Sequence, residues 1–411
     1  MGTTECLRPT TYKALRFQFE KKAVHFLLDC LLSQIDIKID CDDVCETDSF
    51  HQSEFVLAPP SLGRTLHMLI FPDFWVGAYY ARGAWYLKKG SLSSFIEQLH
   101  TQTPRRYFKY FRFVAKLRGP FFTLRRYLLD PKESRAVASH YEIEADLYKS
   151  FLDDQMLYTY AFFENDGDTL EQAQNRKLRL VEERLKLPSD GAKILDVGSG
   201  WGALERHFSK SNPTWRITGL SLAGNQIQWS EKQNSTELTT QQIERIRYRK
   251  CHYLSYFPEE NDLFDGIVAI GMVEHLGKRG IPEFVAKSND LLARGGRCLV
   301  HTIVSPESDL PTNKWIDAKI FPGGYAPSIS ELVKAFEVDG LIIEGVYIHE
   351  GLNYVRTIEY WKNRYLENCK TENYDAGISF RTWLFYLSSV QIMFYDNVLK
   401  YQIAQIVVRK L

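Results

Sequence analysis

Apolar side chains at Leu15, Phe19, Ala23, Phe26, Leu27, Cys30 and Leu31 recur every three or four positions. Lys21, Lys22 and Asp29 fall mostly on the other side, so the spacing predicts an amphipathic helix over about residues 12–33. Residues 35–39 then alternate isoleucine with aspartate and lysine, the period of a half-buried strand. From 74 to 99, aromatic residues interrupted by Gly77, Gly83 and Gly90 predict short elements joined by turns. Together these predict a small α+β unit at the N-terminal end. Beyond about Asp190 the rhythm changes: short apolar runs at 193–197, 216–220, 266–270, 297–304 and 341–347 alternate with helical stretches. That alternation predicts an α/β domain with a doubly wound, mostly parallel sheet. The aromatic density around Trp383, Phe385, Tyr386, Phe394 and Tyr395 predicts C-terminal helices over about 380–406.

Between these regions, residues 105–126 carry eight lysines and arginines and no acid, interleaved with Tyr107, Phe108, Tyr110, Phe111, Phe113, Phe121 and Phe122. Cations beside interfacial aromatics suit an anionic membrane surface; a solvated linker helix is the plainer reading. The expected domains are 1–125, a lipid-engaging unit with its basic linker, and 126–411, the catalytic domain.

Composition narrows the function. With 411 residues, 45% hydrophobic and 14% aromatic, the chain can bury more than one core. Its 51 basic and 51 acidic residues cancel, so net charge gives no case for a nucleic-acid partner. The seven cysteines lack Cys-x-x-Cys spacing and read as reduced thiols. Cys41, Cys45 and His51 lack an evident fourth ligand, so no metal is expected. There is no apolar run of about eighteen residues, and Glu5, Arg8 and Lys13 precede any apolar stretch, unlike a signal peptide. The expectation is a cytoplasmic protein peripherally associated with membrane.

The strongest local chemistry lies at Ile194-Leu195-Asp196-Val197, a buried strand running into Gly198-Ser199-Gly200-Trp201-Gly202 and a helix with Leu204, His207 and Phe208. Glycines let the backbone turn tightly and approach a ligand, and the helix start offers N–H groups to it. Such a loop also fits a dinucleotide fold. Asp196, two positions before the first glycine, stands where class I methyltransferases carry an acid. The second strand ends instead in Ser221 and Leu222, where a dinucleotide fold wants one. S-adenosylmethionine is therefore expected, and NAD is not.

Further motifs follow in order. They include Phe151-Leu152-Asp153, Met156-Leu157-Tyr158, Ala161-Phe162-Phe163, Gly219-Leu220-Ser221-Leu222 with Gln226, Gly271-Met272-Val273-Glu274-His275, His301-Thr302-Ile303, and Asn353-Tyr354-Val355-Arg356-Thr357 with Trp361. The series resembles the cyclopropane fatty acid synthase family, which includes mycolic acid cyclopropane synthases and other lipid C-methyltransferases. The resemblance implies a Rossmann-like class I fold with a small N-terminal domain and helical lid insertions. It implies methylene transfer from S-adenosylmethionine to the double bond of an unsaturated phospholipid acyl chain, with bicarbonate bound in the active site. Cofactor contacts are implied at Tyr158, Asp196, Gly198, Gly200, Gly202, Ser221, Leu222, Gln226, His252 and Tyr253. The anion cradle is implied at Glu274, His301, the backbone of Ile303, and Tyr354, with Ser199 where the family's loop carries a cysteine. Other departures are His252 and Leu254 in place of an Asp-Tyr-Arg motif, Ala223 for a serine, and Asn353 for a histidine. They bear on ring closure more than on methyl transfer, so a methyl-branched product stands as the alternative. A small-molecule N-methyltransferase and a non-catalytic cofactor-binding protein are the other readings. Related enzymes can be dimers, so a second copy of the chain is kept as a partner.

Overall fold

The computed structural model describes residues 9–32, 35–39, 53–102, 145–258, 263–371, 377–395 and 399–411. The chain divides into two compact units, one comprising Met1–Leu129, Asn313–Trp315 and Tyr374–Ile392, the other Asp130–Thr312, Ile316–Asn373 and Met393–Leu411. The basic aromatic stretch 105–126 and the group Cys41, Cys45 and His51 lie outside the described residues.

In the first unit, β1 (Ile37–Ile39) runs parallel to β2 (Phe55–Ala58), and β3 (Tyr86–Lys89) closes the sheet antiparallel to β2. The helix predicted near the N-terminus spans Pro9–Leu32. Phe55 is fully buried and meets Phe95 edge-on at 5.6 Å between ring centres, and Tyr80 meets Trp85 at 5.0 Å. The helix Ile378–Met393 adds Phe385 to this aromatic core and ties itself down where Arg381 Nε donates to the Ala81 carbonyl at 3.0 Å. Gly77 makes room for it: a Cβ there would stand 2.7 Å from the Phe385 and Trp315 rings. A segment expected in the catalytic domain on sequence thus packs in the N-terminal unit, which gathers pieces remote in sequence around one aromatic core.

The second unit holds a seven-stranded sheet in the order β6-β5-β4-β7-β8-β10-β9. Strands β4 (Lys193–Val197), β5 (Arg216–Ser221), β6 (Ile246–Lys250), β7 (Phe264–Ile270) and β8 (Leu292–Val304) are parallel. This is the Rossmann-like class I methyltransferase fold. Its central strands β4, β7 and β8 carry apolar runs because helices cover both faces; Ile194, Leu195, Ile267, Val268, Leu299 and Val300 are completely buried. The chain builds outward from β4 to β6 and resumes on the other side at β7, so a crevice opens beyond the carboxyl end of β4.

One expectation is corrected here. The helices predicted as far as 406 end at Met393, and β10 (Gln402–Lys410) inserts antiparallel between β8 and β9 (Leu341–His349). The run Ile403-Ala404-Gln405-Ile406-Val407-Val408 is buried at every position. A strand covered on both faces shows no alternation, so periodicity could not separate it from a buried helix. Among the described residues, no helix is long and apolar enough to cross a membrane.

Candidate active site

Beyond β4 the backbone takes positive φ at Gly198 (99°), Gly200 (51°) and Gly202 (77°), the left-handed region open to glycine at little cost. The amides of Gly198 and Ser199 both donate to the Leu220 carbonyl on β5, at 3.0 and 2.9 Å, which folds the loop back over the neighbouring strand. The helix Ala203–Ser211 starts at once, with Gly202 as its N-terminal cap. A side chain at Gly202 would meet the Tyr248 hydroxyl at 2.5 Å and Ser230 at 2.8 Å. Beneath the loop, Asp196 and Glu205 face each other, fully buried. Burial raises both carboxyls, and the Asp196 charge raises Glu205 further. Gly219 leaves the space that the Glu205 carboxyl occupies.

The loop forms one wall of a cavity of about 290 Å³. Of the residues predicted to contact the cofactor, Tyr158, Asp196, Gly198, Gly200, Ser221, Leu222, Gln226, His252 and Tyr253 line it. Gly202 does not; it packs behind the loop against Tyr248 and Ser230. Ser221 Oγ donates to Gln226 Oε1 at 3.1 Å and accepts from the Ala223 amide at 3.1 Å, which settles the turn after β5. Met272 and His275 complete the far wall, and burial lowers His275 to about 4, so its ring is neutral.

A second group of polar residues gathers around the carboxyl ends of β7 and β8. Glu274 sits in the turn between Met272 and His275, and its Oε1 accepts from the Ile303 amide at 2.7 Å. Its other oxygen, Oε2, is buried and without a hydrogen-bond partner. Burial raises the Glu274 carboxyl, and the bond from Ile303 works against that rise. His301, on β8, is 2% exposed; its Nδ1 lies 2.9 Å from Gln405 Nε2, and its Nε2 is buried without a partner. Burial, then the cations of Lys177 and Arg184 and neighbouring His349, hold His301 well below the usual imidazole range. The Tyr160 ring stands 5.6 Å from His301 and 6.1 Å from Tyr354, joining the two. Burial raises the Tyr160 hydroxyl.

The segment 156–163 connects both groups, and its backbone is fastened from two helices. From Leu170–Leu185, Gln174 Nε2 donates to the carbonyls of Leu157 (3.2 Å) and Thr159 (2.9 Å), and Lys177 Nζ donates to Thr159 Oγ1 at 2.6 Å. From Gly351–Thr371, Thr357 Oγ1 accepts from the Ala161 amide at 3.0 Å and Asn353 Oδ1 from the Phe163 amide at 3.1 Å. Lys177 is completely enclosed, and burial brings it down to about 7 against the opposing pull of Asp153.

The structure therefore brings Glu274, Ile303, His301 and Tyr354 into one neighbourhood. Ser199 belongs elsewhere: its Cβ faces Gly219 of β5, across β4 from β7 and β8, and it lines the cofactor cavity. A loop folded over β5 cannot also turn that side chain toward β8. Sequence reasoning missed Tyr160, Gln405 and Glu205. Gln405 left one legible trace, a lone amide in an otherwise apolar run.

Residues 130–406, more than half of the chain, match the family described as mycolic acid cyclopropane synthetase. The chain belongs to this family. It is 31% identical over 228 residues to the cyclopropane-fatty-acyl-phospholipid synthase of Escherichia coli K12, a match over 55% of each chain, so it spans little more than half of that relative's length. Among solved structures it is similar to the cyclopropane synthase MmaA2 from Mycobacterium tuberculosis (27% identity, TM-score 0.60, 67% of this chain and 98% of that one). It is likewise similar to mycolic acid cyclopropane synthase CmaA1 complexed with SAH and CTAB (26% identity, TM-score 0.59, the same coverage). Within the synthetase family fold, the cavity beside the glycine loop and the Glu274–His301 group adjoin through a single turn, residues 271–275.

Proposed function

We propose that this protein is an S-adenosylmethionine-dependent transferase that adds a methylene group across the double bond of an unsaturated phospholipid acyl chain, giving a cyclopropane. The observation that carries the reading is the pair of unpartnered buried atoms, Glu274 Oε2 and His301 Nε2, beside the turn that lines the cofactor cavity. One can accept a hydrogen bond and the other can donate one, which is what a small protonated oxyanion requires. Family membership and the likeness to a relative solved with SAH support the cofactor.

The residues fit both groups the reaction needs. Gly198, Gly200 and the first turn of Ala203–Ser211 would receive the amino-acid end of S-adenosylmethionine, with Ser221, Gln226, His252 and Tyr253 around its nucleoside. Glu274 and His301 would hold bicarbonate, with the Ile303 amide fixing the Glu274 carboxyl. When bound, these groups supply an electrophilic methyl to the alkene and an acceptor for the proton whose loss closes the ring. An alkene needs no base before it attacks, so the chain's own task is to steady positive charge. Glu274 and the rings of Tyr160 and Tyr354, which meet edge-on at 6.1 Å, are the groups that would do so. His301, neutral through burial, donates without adding a cation beside a carbocation.

On this reading the first unit, with its basic linker, engages an anionic membrane surface, and the enzyme is cytoplasmic and peripheral. The test is incubation with S-adenosylmethionine and liposomes of unsaturated phospholipid, followed by mass spectrometry of the released fatty acids. The expected product gains one methylene and loses the alkene. Cofactor binding without any lipid product would overturn the proposal.

A further inference from the structure

His301 lies directly opposite Gln405 in the β8–β10 pairing, and Gln405 lies opposite Tyr347 in the β10–β9 pairing, so the three side chains form a row on one face of the sheet. Arg184, from the last turn of the helix Leu170–Leu185, reaches this row. Its guanidinium covers the Tyr347 ring at 3.7 Å, and Nη1 bonds to Gln405 Oε1 and lies 3.2 Å from His349 Nε2. Gln405 is 1% exposed and His301 2%, so water does not arbitrate between alternatives.

The order of donors then follows from chemistry alone. A guanidinium can only donate. Arg184 therefore takes the oxygen end of the Gln405 amide, and the Gln405 NH₂ must point at His301. An NH₂ can only donate as well, so His301 Nδ1 accepts, and the single proton of the neutral ring resides on Nε2. That is the nitrogen left buried and unpartnered. His349, the second neighbour of Arg184, must also accept, which makes it neutral too.

We infer that Arg184 and Gln405 are positioning residues whose hydrogen bonds fix His301 as the Nε2–H tautomer, so that the ring presents a donor to the bound oxyanion. The inference rests on the proposed function for the oxyanion, but the tautomer itself can be measured without turnover. Reversing the middle of the chain reverses its end: Gln405→Glu offers His301 an acceptor, draws the proton to Nδ1 and turns Nε2 into an acceptor that repels an anion.

The experiment is nitrogen NMR of the full chain labelled with [15N]histidine, with the His301 signal assigned by its loss in His301→Asn, alongside turnover as a function of bicarbonate concentration. The expected wild-type spectrum shows His301 protonated at Nε2. Gln405→Glu and Arg184→Met should move or split that signal and raise the bicarbonate requirement about tenfold, the loss of one charge-assisted hydrogen bond. Cofactor affinity should stay unchanged. Arg184→Lys, which restores a donor to Gln405, should recover most of the wild-type tautomer. Arg184 is partly exposed, so its variants keep the test available should Gln405→Glu not fold. An Nδ1–H tautomer in the wild type, or a tautomer and bicarbonate requirement indifferent to both substitutions, overturns the inference. An Nε2–H tautomer in a chain that makes no lipid product upholds the relay and removes the functional reading instead.

Discussion

The two halves of the candidate site are built in opposite ways. The glycine-loop wall of the cofactor cavity is local: β4, the loop and the next helix are contiguous, and each glycine is required where it stands by a positive φ or by a neighbour at contact distance. The group proposed to hold an oxyanion is assembled from far apart, with Tyr160 before the sheet begins, Glu274 after β7, His301 on β8, Tyr354 on a late helix and Gln405 on the last strand. A local site tolerates distant change and is sensitive to single glycines. An assembled one depends on the register of β8 against β10.

The sharpest way to separate the halves is Glu274→Gln. It keeps the shape and leaves the cavity wall intact, so turnover should fall about a thousandfold while the dissociation constant for S-adenosylmethionine stays within about twofold. Kinetics with calorimetry checks this, and a joint loss of binding and turnover would erase the distinction. The converse variant is Gly202→Ala, which forces a side chain into Tyr248 and Ser230 at positive φ. It should cost about 1–3 kcal/mol of stability and weaken cofactor binding together with it, measured by thermal melting with and without S-adenosylmethionine.

Acid reaches the assembled half through His349. Burial and the charge of Arg184 bring His349 down to about 4 in the folded chain, against an ordinary value of about 6.5. Between those limits the unfolded chain binds more protons, so stability must fall as pH drops from about 6.5 to about 4, by at most about 3 kcal/mol from this group. His349→Gln should flatten that part of a denaturation-versus-pH curve; an unchanged slope would show that His349 is not held neutral. The smallest effect is expected from Ser199→Ala. Because Ser199 faces Gly219, its loss should alter cofactor affinity less than about threefold and leave the bicarbonate requirement alone, the loss of at most one weak hydrogen bond.

What could be read beforehand follows the same division. The glycine loop, its strand and Asp196 were legible because turn chemistry and strand period are written in adjacent residues. The strands β4, β5, β7, β8 and β9 announced themselves by short apolar runs. Strand β10 did not, since burial on both faces removes the alternation that marks a strand. Strand β6, Ile-Arg-Tyr-Arg-Lys at the sheet edge, is too polar to stand out. Glu274, His301 and Tyr354 were found through the family resemblance; their spacing along the chain says nothing of their meeting. Gln405 and Tyr160 depend on cross-strand register and on the fastening of residues 156–163, which no local pattern encodes. Ser199 was placed with the anion cradle through the resemblance, as the loop position where the family carries a cysteine; in the structure the loop folds over β5 and its Cβ faces Gly219.

The central claim, methylene transfer closed by proton loss, is tested most directly with S-adenosylmethionine carrying a fully deuterated methyl group. After incubation with unsaturated phospholipid liposomes, the released fatty acids would be examined by mass spectrometry and proton NMR. The account predicts a saturated product bearing a cyclopropane ring that keeps two of the three methyl deuterons. A product that keeps all three as a branched methyl, or two on an exocyclic double bond, would contradict ring closure by this site.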